Sequence, residues 1–164
     1  MFLNQASVSW LGFLFADMFF RVFNDKMFGI SQRKGMNMIV GLGVDLIEIE
    51  RVKQAHLKHG QRFIDRLFTP AEAKYCLRKK DPYPSLAGRF AAKEAVIKAF
   101  SHGFGGRWKW THIEVTREIS GKPVLKLHGI MEKLRSQRKI KFMHLTIAHS
   151  KKDATATVLF ESVK

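Results

Sequence analysis

From position 38 onward the apolar residues keep a rhythm whose period changes several times along the chain. Residues 38–49 are apolar with two glycines and then alternate, Leu46, Ile47 and Ile49 falling among Asp45, Glu48 and Glu50, which predicts a strand. Residues 50–67 carry a helical pattern with a break near Gly60. Thr69-Pro70-Ala71-Glu72 reads as a helix start: Thr69 as N-cap, Pro70 at the first helical position and Glu72 reaching back to close a capping box. That helix is expected to run to about Lys80, where Asp81-Pro82-Tyr83-Pro84 stops it. A longer helix follows over 85–100, with Ala87, Ala91, Ala92, Ala95, Val96 and Ala99 as its packing side. Strands at 113–116 and 124–127 are joined through Ser120-Gly121-Lys122-Pro123. A basic helix over 129–138 and a closing hairpin complete the chain, its strands at 142–148 and 154–160 and its turn at 150–153. Strands and helices do not alternate one by one, so the fold class expected is α+β.

Residues 1–37 fall outside this rhythm. They are crowded with Phe13, Phe15, Phe19, Phe20, Phe23 and Phe28. The apolar run over 8–20 is interrupted by Asp17 and followed by Arg21, too short and too polar for a spanning helix. It lacks the basic leader and small-residue cleavage site of a signal peptide. The expectation is an N-terminal extension arising from a mis-assigned start, with translation beginning at Met36 or Met38 and the domain running over 38–164; an amphipathic surface helix is the alternative.

Composition narrows the class. The chain has 164 residues, 46% hydrophobic and 26% charged, which suits one globular domain and excludes a disordered one. Cys76 is the only cysteine, so no internal disulfide forms; it reads as a buried small hydrophobe. The net charge is +15, and the four basic and two acidic residues within 1–37 leave +13 on the remainder. Such a charge favours encounter with acidic partners, whether nucleic acid, an acidic protein or a phosphorylated cofactor.

Two segments carry candidate chemistry. In Gly41-Leu42-Gly43-Val44-Asp45 a carboxylate ends an apolar stretch, where burial requires pairing or a bound cation; otherwise it caps the following turn or lies at the solvent edge. In Gly88-Arg89-Phe90-Ala91-Ala92-Lys93-Glu94-Ala95-Val96-Ile97-Lys98, Glu94 and Lys98 share a helix face, and Arg89 and Lys93 form a neighbouring basic row. The row reads either as surface ion contacts or as cations for phosphates beside a carboxylate for Mg2+, which takes hard oxygen ligands and commonly one or two carboxylates. Gly103-Phe104-Gly105-Gly106-Arg107 is not a phosphate-binding loop, because its Gly-Lys-Ser/Thr ending is missing. His149 ends a predicted strand beside Ser150 and Lys151, where it meets either solvent or a phosphate. Arg107-Trp108-Lys109-Trp110 interleaves cations with aromatics, as a base-stacking surface or as a rim packed on a core.

With these two segments in hand, residues 38–49 resemble the opening of the holo-acyl-carrier-protein synthase family, and 88–100 resemble its second signature. The two acids stand 49 positions apart, as in that family, and Gly121-Lys122-Pro123 and His149 match in kind and order. The resemblance covers residues 38–164. It implies a compact 4′-phosphopantetheinyl transferase fold and a cytoplasmic homotrimer with active sites between subunits. The implied activity moves the 4′-phosphopantetheine of coenzyme A to a serine of apo-acyl-carrier-protein, for fatty acid biosynthesis. By the same resemblance Asp45 and Glu94 hold Mg2+, and Glu94 and Lys98 act in catalysis. Arg89 and Lys98 contact coenzyme A phosphates, and Pro123 and His149 lie near its adenosine end. Arg51 lies on the helix that docks the carrier protein, with Arg62 and Arg66 extending that surface. The acceptor of the serine proton stays open among a metal-bound water, Glu94 and a substrate phosphate oxygen. Neither nucleic acid nor membrane is an expected partner. The rivals are a nucleic-acid module using the basic charge and residues 107–110, a scaffold that only docks an acidic partner, and a membrane-surface protein held by its N-terminal segment.

Overall fold

Strand β1 (Asn37–Glu48) runs directly into helix α1 (Ile49–His59), and helix α2 (Gln61–Leu67) follows after Gly60. Gly60 has φ +55°, a conformation that suits the residue without a Cβ, and the predicted break falls there. Helices α3 (Pro70–Leu77) and α4 (Tyr83–Phe100) come next, then a 3-10 turn at Trp110–His112, strands β2 (Ile113–Arg117) and β3 (Pro123–Leu127), helix α5 (Gly129–Gln137), and strands β4 (Ile140–His149) and β5 (Asp153–Val163). The computed structural model describes residues 37–101 and 108–163, within a unit spanning Gly35–Lys164. The N-terminal extension with its candidate start at Met36, and the glycine loop through Arg107, lie outside the described residues.

The expected α+β class holds. β5 lies between β1 and β4, antiparallel to both, and β2 pairs with β3 in a separate two-stranded sheet. Residues opposite one another in an antiparallel pair share a face. Ala154, Ala156, Val158 and Phe160 of β5 therefore point inward, the last three buried with Ala91, Ala92, Ala95 and Ala99 of α4 and Ala154 with Leu86 and Ala87. On the other face of β1, Leu42, Val44 and Leu46 are 48%, 49% and 65% exposed. The hairpin β2–β3 and Met131 of α5 close the same core, and a second cluster around Ile64, Phe68, Cys76 and Leu86 forms under α1, α2 and α3. Cys76 is buried, as expected, and burial pushes its thiol pKa up.

The small residues have a geometric purpose. A Cβ on Gly43 would sit 1.9 Å from the Ala95 carbonyl oxygen, and one on Gly41 would sit 2.4 Å from that of Ala99. Only glycine lets β1 lie this close to the backbone of α4.

Two helix boundaries differ from the sequence reading. α3 carries the predicted capping box, Glu72 N donating to Thr69 Oγ1 (3.3 Å) and Thr69 N to Glu72 Oε2 (2.9 Å). It ends at Leu77 rather than near Lys80, because Lys79 N folds back onto the Cys76 carbonyl (3.1 Å). α4 begins at Tyr83, ahead of the expected Ser85. Pro84 is tolerated there because first-turn N–H groups have no intrahelical acceptor, and Asp81 Oδ1 accepts from Tyr83 N (3.1 Å). Among the described residues no helix is long and apolar enough to cross a membrane.

Candidate active site

Two clusters of functional side chains flank α4. The first sits on its β1 side. Asp45 is on the inward face of β1, and the glycine contacts above bring it against the C-terminal half of α4, which carries Glu94 and Lys98. Lys98 Nζ donates to Asp45 Oδ1 at 2.9 Å. Thr155 Oγ1 donates to the Asp45 carbonyl at 2.8 Å and fixes the strand at that point. Glu94 is half-buried, and burial followed by the negative charge of Asp45 raises its pKa above the ordinary carboxylate range, while Lys98 pulls it down. The arrangement is two carboxylates and one ammonium, an acidic pair short of one positive charge. Among the described residues, no three His, Cys, Asp or Glu side chains gather into a metal cage.

The second cluster is a cleft of about 160 Å³ on the other side of the helix, walled by Tyr75 and Lys79 of the α3 end, Arg89 of α4, Arg117 of β2, Pro123 of β3 and His149 at the end of β4. Arg89 is 6% exposed, its guanidinium 4.2 Å from the Tyr75 ring centroid. Arg117 Nη1 donates to the Tyr75 hydroxyl, and its guanidinium lies 5.5 Å from the same ring. Lys79 donates to Ser85 Oγ and stands 4.7 Å from the Tyr75 centroid. Burial raises the Tyr75 pKa, but the surrounding cations Lys79, Arg117 and Arg89 outweigh it and leave the phenol below its ordinary value. The buried Nε of Arg89 has no hydrogen-bond partner among the described residues. Among the described residues no carboxylate lines the cleft, and this lining suits an anion carrying an apolar or aromatic body.

Asp45, Glu94 and Lys98 therefore come together, as do Arg89, Pro123 and His149, but in separate clusters. Arg51, Arg62 and Arg66 are exposed on α1 and α2. Lys93 does not belong to a basic surface row: it is 0% exposed and ion-paired to Glu72 at 2.7 Å, whereas Arg89 lines the cleft. The stacking reading of residues 107–110 is also weakened. Trp110 packs on Phe90 with centroids 5.3 Å apart, and Trp108 packs edge-on against Trp110 at 4.8 Å. Sequence reasoning missed Tyr75, Lys79 and Arg117, whose residue types are ordinary for exposed helix and strand positions.

A family model described as the 4′-phosphopantetheinyl transferase superfamily matches residues 41–158. A holo-[acyl-carrier-protein] synthase of Chlamydia pneumoniae is 46% identical over 121 residues, covering 74% of this chain and 96% of that protein. One from Halothermothrix orenii is 41% identical over 124 residues, covering 76% and 98%. The crystal structure of the Neisseria meningitidis holo-[acyl-carrier-protein] synthase superposes with a TM-score of 0.70 at 30% identity, over 76% of this chain and all of that one (100%). The Bacillus anthracis synthase, in complex with CoA (3′,5′-ADP), superposes with a TM-score of 0.63 at 35% identity, over 76% and 98%. With the family model spanning both clusters and relatives of this identity aligned along nearly their whole length, the chain belongs to the holo-acyl-carrier-protein synthase family of 4′-phosphopantetheinyl transferases.

Proposed function

We propose that the protein transfers the 4′-phosphopantetheine arm of coenzyme A to a serine of apo-acyl-carrier-protein, giving the holo carrier and adenosine 3′,5′-bisphosphate, for fatty acid biosynthesis in the cytoplasm. The observation that carries this reading is the pairing of a cation-lined cleft with an acidic pair across one helix, within a chain of this family. Arg89, Lys79, Arg117 and His149 suit the phosphorylated adenosine end, with Pro123 and the Tyr75 ring as apolar wall. Lys98 suits the diphosphate, where it offsets charge as the bond breaks.

The carrier's serine oxygen attacks the phosphorus next to the pantetheine arm, and the bond from that phosphorus to the bridging oxygen breaks, releasing the bisphosphate. The nucleophile is the partner's own, so no nucleophilic side chain of this protein is required. The residues fit Mg2+ as well. Asp45 and Glu94 are hard-oxygen donors; burial and then the charge of Asp45 raise the Glu94 pKa, and Lys98 stands beside them as a counter-charge. When bound there, the ion supplies Lewis-acid stabilisation of the diphosphate oxygens. Two carboxylates are the usual protein share of a Mg2+ site, with phosphate oxygens and water completing the coordination.

Exposed Arg51, with Arg62 and Arg66, suits docking of an acidic carrier, and the net charge of +15 favours that encounter. The exposed apolar row Leu42, Val44 and Leu46 supports a homotrimer in which copies cover these faces. The catalytic unit proposed is 38–164, with 1–37 as a dispensable extension. Incubation of the full chain and of residues 38–164 with coenzyme A, Mg2+ and apo carrier tests the reading by intact mass. The expected result is a carrier heavier by one phosphopantetheine, with the gain lost in EDTA and sharply reduced by Asp45→Ala and by Glu94→Ala. No gain from a folded protein that binds coenzyme A overturns the transferase in favour of a scaffold.

A further inference from the structure

Among the described residues Lys93 and Glu72 are the deepest charges, 0% and 1% exposed, and neither lines the cleft. Every polar atom of the pair is engaged. Lys93 Nζ donates to Glu72 Oε2 (2.7 Å), to the Ile113 carbonyl (2.6 Å) and to the Trp110 carbonyl (3.2 Å). Glu72 Oε1 accepts from Val115 N (3.0 Å), and Oε2 also accepts from Thr69 N (2.9 Å). Two side chains thus tie together α3 and its N-cap, α4, the 3-10 turn and β2.

Three of those elements wall the cleft, and on each of the three a wall residue sits beside an anchor. Tyr75 lies one turn beyond Glu72 on α3, Arg89 lies one turn before Lys93 on α4, and Val115, which lines the cleft, donates to Glu72 directly. We infer that the buried Lys93–Glu72 pair is a positioning device that holds α3, α4 and β2 in the orientation that builds the cleft, with no contact to substrate itself. This rests on the assignment of the cleft to coenzyme A.

Stability does not explain the pair. Desolvating two charges costs about as much as their attraction returns, and apolar pairs of similar volume are commonly as stable or more so. What an apolar pair lacks is direction: five hydrogen bonds fix the rotation of each element, and packing alone does not. The other end of α4 has its own anchor in the contacts of Ala95 and Ala99 with Gly43 and Gly41. Removing the buried pair therefore loosens the cleft and leaves the acidic pair in place.

The test is the double variant K93M/E72L in the full chain, beside wild type and Arg89→Ala. The single Lys93→Met is avoided because it strands a buried carboxylate. The measurements are thermal unfolding, calorimetric binding of adenosine 3′,5′-bisphosphate, and kcat and KM for coenzyme A. The double variant is expected to melt below wild type, because Glu72→Leu also removes half of the capping box and leaves Val115 N without its acceptor, yet to be folded at the assay temperature. It is expected to bind the bisphosphate about tenfold more weakly or worse, as when supporting contacts behind a binding shell are lost, and to raise KM with kcat held within about twofold. Wild-type affinity in the double variant overturns the inference. A double variant that no longer folds overturns it too, because the pair is then a stability element. Equal binding by wild type and Arg89→Ala removes the cleft assignment beneath it, and is distinguished by that result alone.

Discussion

Gly43→Ala is the sharpest probe of how the acidic pair is assembled. The added Cβ would stand 1.9 Å from the Ala95 carbonyl oxygen, 2.7 Å from Ala99 N and 2.9 Å from the Ala95 carbonyl carbon, all of them backbone atoms. No rotamer change relieves such contacts. Restoring ordinary van der Waals distance requires β1 and α4 to separate by about 1.5 Å. Overpacking of a core typically costs 1–3 kcal/mol, and with rigid backbone on both sides the upper end, about 3 kcal/mol, applies. For a domain of this size that lowers Tm by about 10 °C. The functional cost is separate, since the same displacement carries Asp45 away from Glu94 and Lys98. A misplacement of about 1 Å at a reacting centre costs about 100-fold in rate. The control is Gly129→Ala, where φ of +56° strains any other residue but the neighbouring atoms belong to the His112 side chain, away from both clusters. Transfer to the carrier is measured by intact mass at a temperature where both variants are folded. Gly43→Ala is expected to lose about two orders of magnitude in kcat/KM while Gly129→Ala retains nearly all. A folded Gly43→Ala with transfer within a few-fold of the control refutes the claim that these glycines position the site.

The raised Glu94 pKa carries a sign. The native state holds its proton to higher pH than the unfolded chain does, so metal-free stability falls as pH rises from the ordinary Glu value of 4.5 through the raised native one. Glu94→Gln should raise Tm at pH 7 in EDTA and flatten that slope; a lower Tm with an unchanged slope goes against it. On the exposed face of β1, Val44→Asp is expected to leave the fold intact and to dissociate the proposed assembly in light scattering, and an unchanged mass argues against that face as the contact. Cys76, buried and with its thiol pKa pushed up, should resist a thiol reagent in the native state and react on unfolding; stoichiometric native labelling contradicts its burial. Thr69→Ala removes one half of the capping box and should cost about 1 kcal/mol, read as a denaturant midpoint shift at constant slope.

What was legible in the sequence was local. Thr69-Pro70-Ala71-Glu72 announced its capping box because both bonds close within four residues. Asp45 and the Glu94/Lys98 pair stood out because a glycine-flanked acid and an i,i+4 spacing are short-range signals. The boundary at Tyr83 was misread because a proline reads as a stop even where the first turn accepts it. Lys93 was misplaced on a surface row for a different reason: its partner Glu72 lies 21 positions away, and spacing within one helix says nothing about what faces that helix. Tyr75 and Arg117 meet across 42 positions and two elements, so their shared cleft exists only after folding. Trp108 and Trp110 stayed open between a stacking surface and a rim packed on a core, because an exposed and a half-buried aromatic have the same letter.

Arg89 and Glu94 are five residues apart on α4, about 140° around its axis, so the helix turns one towards the β4 side and the other towards β1. In the proposed trimer, a single cofactor molecule that meets both kinds of residue would take the cleft from one copy and the acidic pair from the next. Genetics then treats the enzyme as divisible. Subunits carrying Asp45→Ala and subunits carrying Arg89→Ala, each inactive alone, would on refolding together restore some sites built from one intact half of each. Two null alleles of the same gene would complement.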